Sequence, residues 1–271
     1  MEQPPLSQSI QRLEKSLGTT LFDRSNRQTR LTEAGAILLD EARKSVQQFD
    51  RALAVVRQSE HANPVPIRIG FVTAGILRLL PLAIRNHRSE RLNPGFHLVE
   101  ASTTELLASV ADGGLDLALV HPTQPYPRGL VLEELQRDRI VAALPKAHAL
   151  ARRRPLLMHD LAQEPLIFFP KSANPELHER FVAFFQARGI VPLIEQEVRL
   201  TPTILSLVAA GLGYALIQEG ARHLQIPDIV FRPVLDLPAD LVWTLAVAWK
   251  PNAASPAIKS FVGGLRQIAR A

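Results

Sequence analysis

The sequence predicts an α/β protein in three parts, and three observations carry that prediction. From residue 67 onward, strand-like and helix-like segments alternate in two successive sets, the pattern of parallel strands joined by right-handed crossovers. Residues 32–62 read as one long helix that stops where Asn63-Pro64-Val65-Pro66 marks a linker. Residues 1–31 are short, polar and basic, with too few apolar positions for a core of their own.

In chain order, residues 6–17 read as a helix, because Leu6, Ile10, Leu13 and Leu17 recur at spacings of four, three and four. Pro4 and Pro5 suit its first turn, and Gly18 stands where a left-handed residue ends a helix. The apolar stripe is expected to be buried. Leu21-Phe22 and the basic run Arg24, Arg27 and Arg30 suggest a short β-ribbon. Thr32 can cap the long helix, and Glu33 complements the dipole of its first turn. Along that helix Leu39, Ala42, Val46, Phe49, Leu53 and Val56 alternate spacings of three and four, a seam suited to packing on its own domain or on a second copy.

In the α/β part, strands are expected at 67–72, 96–101 and 115–120. Helices are expected at 76–88, broken or restarted at Pro81, and at 104–112. A second set runs through strands 165–169, 193–198 and 214–217 and helices 175–188 and 203–210. A late strand at 241–249 and a helix at 255–269 close the chain. Two similar lobes suggest a hinged domain with a ligand in its cleft: a first lobe of about 67–140 and 241–271, and a second of about 141–240.

Apolar residues make up 46% and charged residues 21% of the 271, the balance of an ordinary globular protein. The net charge of +5 permits a polyanionic partner without requiring one. With no cysteine, disulfides and thiolate chemistry are excluded. No export signal and no bilayer-length apolar run is legible, so a cytoplasmic, non-membrane protein is expected. The eight histidines include no pair at metal-ligand spacing, so neither a metal nor another cofactor is expected. No catalytic motif is present, and Gly70 and Gly75 alone do not make a dinucleotide fingerprint.

The opening segment Gln3-Pro4-Pro5-Leu6-Ser7-Gln8-Ser9-Ile10-Gln11-Arg12-Leu13-Glu14 continues into Leu17-Gly18-Thr19-Thr20-Leu21-Phe22-Asp23-Arg24. Arg30-Leu31-Thr32-Glu33-Ala34-Gly35 follows. This order resembles the recognition helix and wing of the LysR-type transcription regulators. The α/β remainder resembles that family's effector domain, so the resemblance spans the whole chain. It implies a partial winged helix-turn-helix (residues 1–31), a linker or dimerisation helix (32–62), and a two-lobed periplasmic-binding-protein-like effector domain (63–271).

The resemblance implies double-stranded DNA, a small organic acid effector and a second copy of the chain, as dimer or tetramer, as partners; RNA polymerase is a further candidate. Gln3, Pro4, Pro5, Ser7, Gln8, Gln11, Arg12, Arg24, Arg27, Arg30 and Thr32 are the expected DNA-contacting residues. Short polar side chains at a helix start reach base edges in a major groove. Five basic residues against two acidic ones between positions 8 and 30 suit phosphate contacts. In the family, further helices precede the Gln-Pro-Pro segment. The sequence is therefore read as N-terminally truncated, with specific DNA binding weak or absent in a chain that starts here.

Open α/β sheets bind ligands at the carboxyl ends of their strands. That rule singles out Thr73 and Ala74, then Ser102, Thr103 and Thr104, then Thr201, Pro202 and Thr203, with His121 and Phe169 nearby. Hydroxyls beside helix N-termini suit a small carboxylate, and the effector domain looks most like the subgroup that responds to aromatic acids. Two other classes compete. A solute-binding protein for uptake shares the α/β part but needs an export signal; an enzyme needs a catalytic constellation, and none is legible.

Overall fold

The computed structural model describes residues 6–26, 28–60, 66–88 and 95–270. The chain divides into two compact units, Met1–Ala62 and Asn63–Ala271.

The first unit opens with helix α1, Leu6–Leu17. Gly18 takes φ +65°, and the Thr19 N–H reaches back to the Glu14 carbonyl at 3.2 Å, closing the helix in a Schellman turn. Strands β1 (Phe22–Asn26) and β2 (Gln28–Leu31) form an antiparallel ribbon that sets Asp23 opposite Arg30. Helix α2, Glu33–Glu60, follows. Thr32 caps it: its Oγ1 accepts the Gly35 N–H at 3.0 Å. The apolar stripe of α1 departs from expectation. Leu6 is 77% exposed and Leu13 and Leu17 are 43% and 49% exposed, because no described element packs over that face. Along α2, Leu39, Ala42, Val46 and Phe49 are also solvent-facing, while Leu53 is half-buried. The Val56 side chain and the 63–65 linker lie outside what is described.

The second unit begins with β3 (Ile67–Phe71), the single-turn α3 (Thr73–Ile76), α4 (Leu79–Arg88), β4 (Phe96–Glu100), α5 (Thr103–Ala111) and β5 (Leu117–Val120). Strand β3 pairs in parallel with both β4 and β5. The expected helix break falls at the Leu77-Arg78 turn and not at Pro81. Pro81 sits in the first turn of α4, where an N–H has no intrahelical partner to lose. Gly70 lets α5 press on β3: a Cβ there would meet Leu106 Cδ2 at 2.5 Å and Leu115 Cδ1 at 2.6 Å.

Next comes β6 (Val131–Pro145), which the sequence pattern does not reveal, because its first half is polar and half-exposed. Then follow α6 (Met158–Leu161), β7 (Pro165–Phe168), α7 (Pro175–Ala187), β8 (Leu193–Glu197), α8 (Thr201–Ala209), β9 (Ala215–Gln218), the unanticipated β10 (Ile229–Pro233), β11 (Val242–Trp249) and α9 (Pro256–Arg270). The main sheet is mixed, not all parallel. Its order is β10-β6-β11-β5-β3-β4, with β9 also on β6. Strand β6 is the bridge: residues 131–139 pair with β11, and residues 140–145 pair with β9 and β10. β7 and β8 pair in parallel, and Leu166 bridges to Tyr214 beside β9.

Two bodies of core flank this bridge. The first packs α4, α5 and α9 on β3 and β5, through Leu80, Leu106, Val262 and Leu265 among others. The second has two faces: a phenylalanine-rich layer from α7 (Phe181, Phe184, Phe185) against Phe168, Tyr214 and Trp243, and an aliphatic layer from α8 (Ile204, Leu205, Val208). Aromatic rings bury large areas at little entropic cost, which explains how so few aromatic residues close a lobe.

Candidate DNA-contacting helix and effector cavity

In the first unit, Ser7, Gln8, Gln11 and Arg12 are exposed on α1 and Arg24 and Arg30 are exposed on the ribbon. Gln3, Pro4, Pro5 and Arg27 lie outside the described residues. Glu14 ties helix to ribbon: its Oε1 accepts the Leu21 N–H at 2.8 Å and the Phe22 N–H at 3.1 Å. Those two backbone bonds, with Arg24 beside it, hold the Glu14 carboxyl below the usual carboxylate range. Thr32, the remaining expected contact, is half-buried at the start of α2. Its hydroxyl donates to the Thr20 carbonyl at 2.8 Å while accepting from Gly35, so its proton and cap are engaged inside the protein.

In the second unit, a cavity of about 450 Å3 lies between the two cores. Three strand-to-helix loops build it. Thr73, after β3, donates its hydroxyl to Glu100 Oε1 at 2.7 Å. Ser102 caps α5 in a reciprocal capping box: Ser102 Oγ accepts the Glu105 N–H at 3.3 Å, and the Ser102 N–H donates to Glu105 Oε2 at 2.9 Å. The Ser102 hydroxyl, first, and then its N–H hold the Glu105 carboxyl low, with Arg199 of the opposite lobe adding to the effect. The start of α5 thus already holds a carboxylate from the chain itself.

The start of α8 is different. Its N-cap residue Leu200 supplies no side-chain hydrogen bond, and Arg199 stands beside it in the cavity wall. Thr201 Oγ1 accepts from Gln218 Nε2 at 3.3 Å. A helix N-terminus with free N–H groups and a neighbouring guanidinium favours an anion.

The cavity therefore brings together Thr73, Ala74, Ser102, Thr103, His121 and Thr201. Thr103 is buried and accepts the His121 N–H at 3.3 Å. Burial holds the His121 imidazole down to about 4, the Thr244 carbonyl working weakly the other way, so the ring is neutral. Four expected residues are not in the wall. Thr104, Pro202 and Thr203 occupy the outer sides of α5 and α8 and face solvent. Phe169 is 2% exposed and packs on Phe168, Phe181 and Trp243, so it belongs to the second-lobe core.

Sequence reasoning missed Glu100, Glu105, Arg199, Gln218 and Trp243. Arg199 adjoins a loop that the strand-end rule had already marked, and Gln218 ends a strand. Trp243 carries no comparable local signal. Among the described residues no group of three or more His, Asp or Glu side chains is placed to hold a metal, and no helix is long and apolar enough to cross a membrane.

Comparison with known proteins decides the family. The family model described as LysR substrate binding domain matches residues 65–270, and the bacterial regulatory helix-turn-helix model of the lysR family matches residues 1–36. The chain belongs to the LysR family. Relatives include the HTH-type transcriptional regulator AlsR of Bacillus subtilis, 30% identical across 97% of this chain and 86% of AlsR. The regulator BenM of Acinetobacter baylyi is 28% identical across 98% of this chain and 88% of BenM. Full-length BenM matches as a structure at TM-score 0.66, covering 100% of this chain and 88% of that one. The structure of CbnR with its target DNA shares the fold at TM-score 0.79 and 20% identity, over 99% of this chain and 91% of that one. This LysR-family chain is a DNA-binding transcription regulator with an effector-binding domain, and not an enzyme. The alternative of a small-molecule binder without DNA binding is not favoured, because the helix-turn-helix model reaches residue 36.

Proposed function

We propose that this LysR-family regulator senses a small organic carboxylate held between the lobes, with the carboxylate on the α8 start beside Arg199 and Thr201. The observation that carries this reading is an asymmetry: the α5 start is already satisfied by Glu105, while the α8 start has no side-chain cap. Ala74, His121 and Trp243 line the wall on which the rest of the ligand lies. BenM's effector domain has been solved with its effector benzoate, at 26% identity and TM-score 0.66 to this chain, which supports an aromatic acid as one ligand to try.

On DNA, α1 lies in the major groove, with Ser7, Gln8 and Gln11 toward bases and Arg12, Arg24 and Arg30 toward phosphates. The chain acts in the cytoplasm as a homo-oligomer, joined through the exposed seam of α2. Effector binding closes the lobes and so alters the geometry of the oligomer on its operator, which requires the ligand to prefer one arrangement. The test is a thermal-shift series of small carboxylates against the wild type, Arg199→Gln and Thr201→Val. A carboxylate that stabilises the wild type and loses that effect in both variants supports the reading. Equal stabilisation of all three proteins overturns it.

A further inference from the structure

The polar groups in the wall of the effector cavity are of two kinds. Thr73 donates its hydroxyl proton to Glu100 Oε1 at 2.7 Å, and Ser102 donates its own to Glu105 Oε2 at 2.6 Å. Thr103 Oγ1 accepts the His121 N–H at 3.3 Å. These groups have partners within the chain. Gln218 and Trp243 line the same cavity. They are 1% and 7% exposed, yet Gln218 Oε1 and Trp243 Nε1 have no hydrogen-bond partner among the described residues. Buried polar atoms left unpaired are rare and costly, so two of them in one wall point to a group on the ligand.

The orientation of the amide follows from its neighbour. Gln218 Nε2 donates to Thr201 Oγ1 at 3.3 Å. Thr201 thus accepts from the amide and keeps its own hydroxyl proton for the carboxylate placed on the α8 start. The opposite amide orientation would draw that proton to Gln218. The unpaired amide atom is therefore the oxygen, an acceptor, whereas the indole of Trp243 only donates. Both side chains stand on strands, Gln218 at the end of β9 and Trp243 in β11. Trp243 is held edge-on against His121 at 5.4 Å and Phe169 at 5.0 Å. A small turn of each side chain presents its unpaired atom to the cavity.

An unpaired acceptor and an unpaired donor select for a group that can serve as either. A hydroxyl donates to Gln218 Oε1 and accepts from Trp243 Nε1. A carbonyl or ether oxygen satisfies only the indole, an ammonium only the amide, and an unsubstituted ring or chain neither. A site whose buried polar groups are left unpaired by the wrong ligand discriminates against it.

We infer that the effector is a hydroxy acid, and that Gln218 and Trp243 are the residues that select its hydroxyl. The acid group lies on Arg199 and Thr201, and the hydroxyl is held by Gln218 Oε1 and Trp243 Nε1. The position of the acid rests on the proposed function; the selection of a hydroxyl rests on the two unpaired atoms.

Isothermal titration of the full chain with matched acids tests the inference: benzoate against 2-, 3- and 4-hydroxybenzoate, and butanoate against 2- and 3-hydroxybutanoate. At least one hydroxy acid is expected to bind about tenfold or more tighter than its parent, the discrimination that satisfying such buried groups supplies. Gln218→Met removes the acceptor at similar volume, and Trp243→Phe removes the donor while keeping an aromatic ring. In each variant the ratio of the two affinities is expected to fall toward one, whatever happens to the parent acid. A purely structural role would shift both acids together and leave the ratio unchanged. Parent acids that bind as tightly as their hydroxy forms, no binding of any of these acids, or a preference that survives both variants overturns the inference. Arg199→Gln separates it from the carboxylate reading. Equal binding of parent and hydroxy acid that R199Q abolishes keeps the carboxylate placement alone. A hydroxyl preference lost in Q218M and W243F, with binding indifferent to R199Q, keeps the hydroxyl selection alone.

Discussion

His121 Nδ1 lies 3.1 Å from the Thr244 carbonyl oxygen, joining the end of β5 to β11 across 123 residues of chain. A carbonyl only accepts, so the Nδ1 carries the proton. Burial holds this imidazole neutral down to about pH 4. The unfolded chain protonates near the ordinary value of 6.5 and the folded one does not, so the unfolded state binds more protons below that pH. Stability therefore falls as pH drops from about 6.5 to 4, by up to about 1.4 kcal/mol per pH unit from this residue. His121→Gln is expected to flatten that slope in urea melts at pH 7, 6 and 5.

Arg68 and Asp116 form an enclosed ion pair in the first lobe, at 2.9 Å with side chains 21% and 6% exposed. Asp116 also accepts the Arg68 backbone N–H at 2.9 Å, and Arg68 Nη2 donates to the Gly113 carbonyl at 2.8 Å. Asp116→Ala leaves a half-enclosed guanidinium and an N–H without their acceptor. We expect a loss of about 3 kcal/mol in chemical denaturation, with Asp116→Asn losing less because its amide oxygen still accepts.

Gly35 allows the start of α2 to approach the ribbon. A Cβ there would meet the Leu21 carbonyl oxygen at 2.0 Å, a backbone atom that cannot turn aside. Gly35→Ala is expected to abolish operator binding in gel-shift assays. The unfolding transition of an isolated 63–271 fragment serves as the reference: the effector domain of the variant is expected to melt as that fragment does.

Arg12 and Gln8 are both exposed on α1, and their chemistry separates their effects. Arg12→Ala is expected to weaken binding to specific and random DNA alike and to lower the salt slope by about 1. Gln8→Ala is expected to leave the slope unchanged and to reduce operator preference, at a cost of about 1–3 kcal/mol on the cognate site only. Fluorescence anisotropy over a salt series measures both quantities.

Much of the site was legible because its loops follow a local rule. Ser102 and Thr201 sit where a strand hands over to a helix, and that handover is written in the periodicity of adjacent residues. The same rule cannot tell Ser102 from Thr104, or Thr201 from Thr203. One helical turn carries side chains to every side, and which side faces the cavity depends on what packs behind the helix. Phe169 illustrates this: two positions beyond a strand centre, it turns into the α7 layer instead of the cleft.

The amino-acid order alone determined the longer helices and most strands (though not the single-turn α3 and α6), where the helix–ribbon motif lies, and to which family the chain belongs. All of these depend on neighbours a few residues apart. Tertiary structure decided the rest: β6 became the bridge only by pairing with β9, β10 and β11, and Trp243 and Gln218 reached the cavity wall only through those pairings. A cleft is made of contacts between segments distant in sequence, and no local periodicity encodes those.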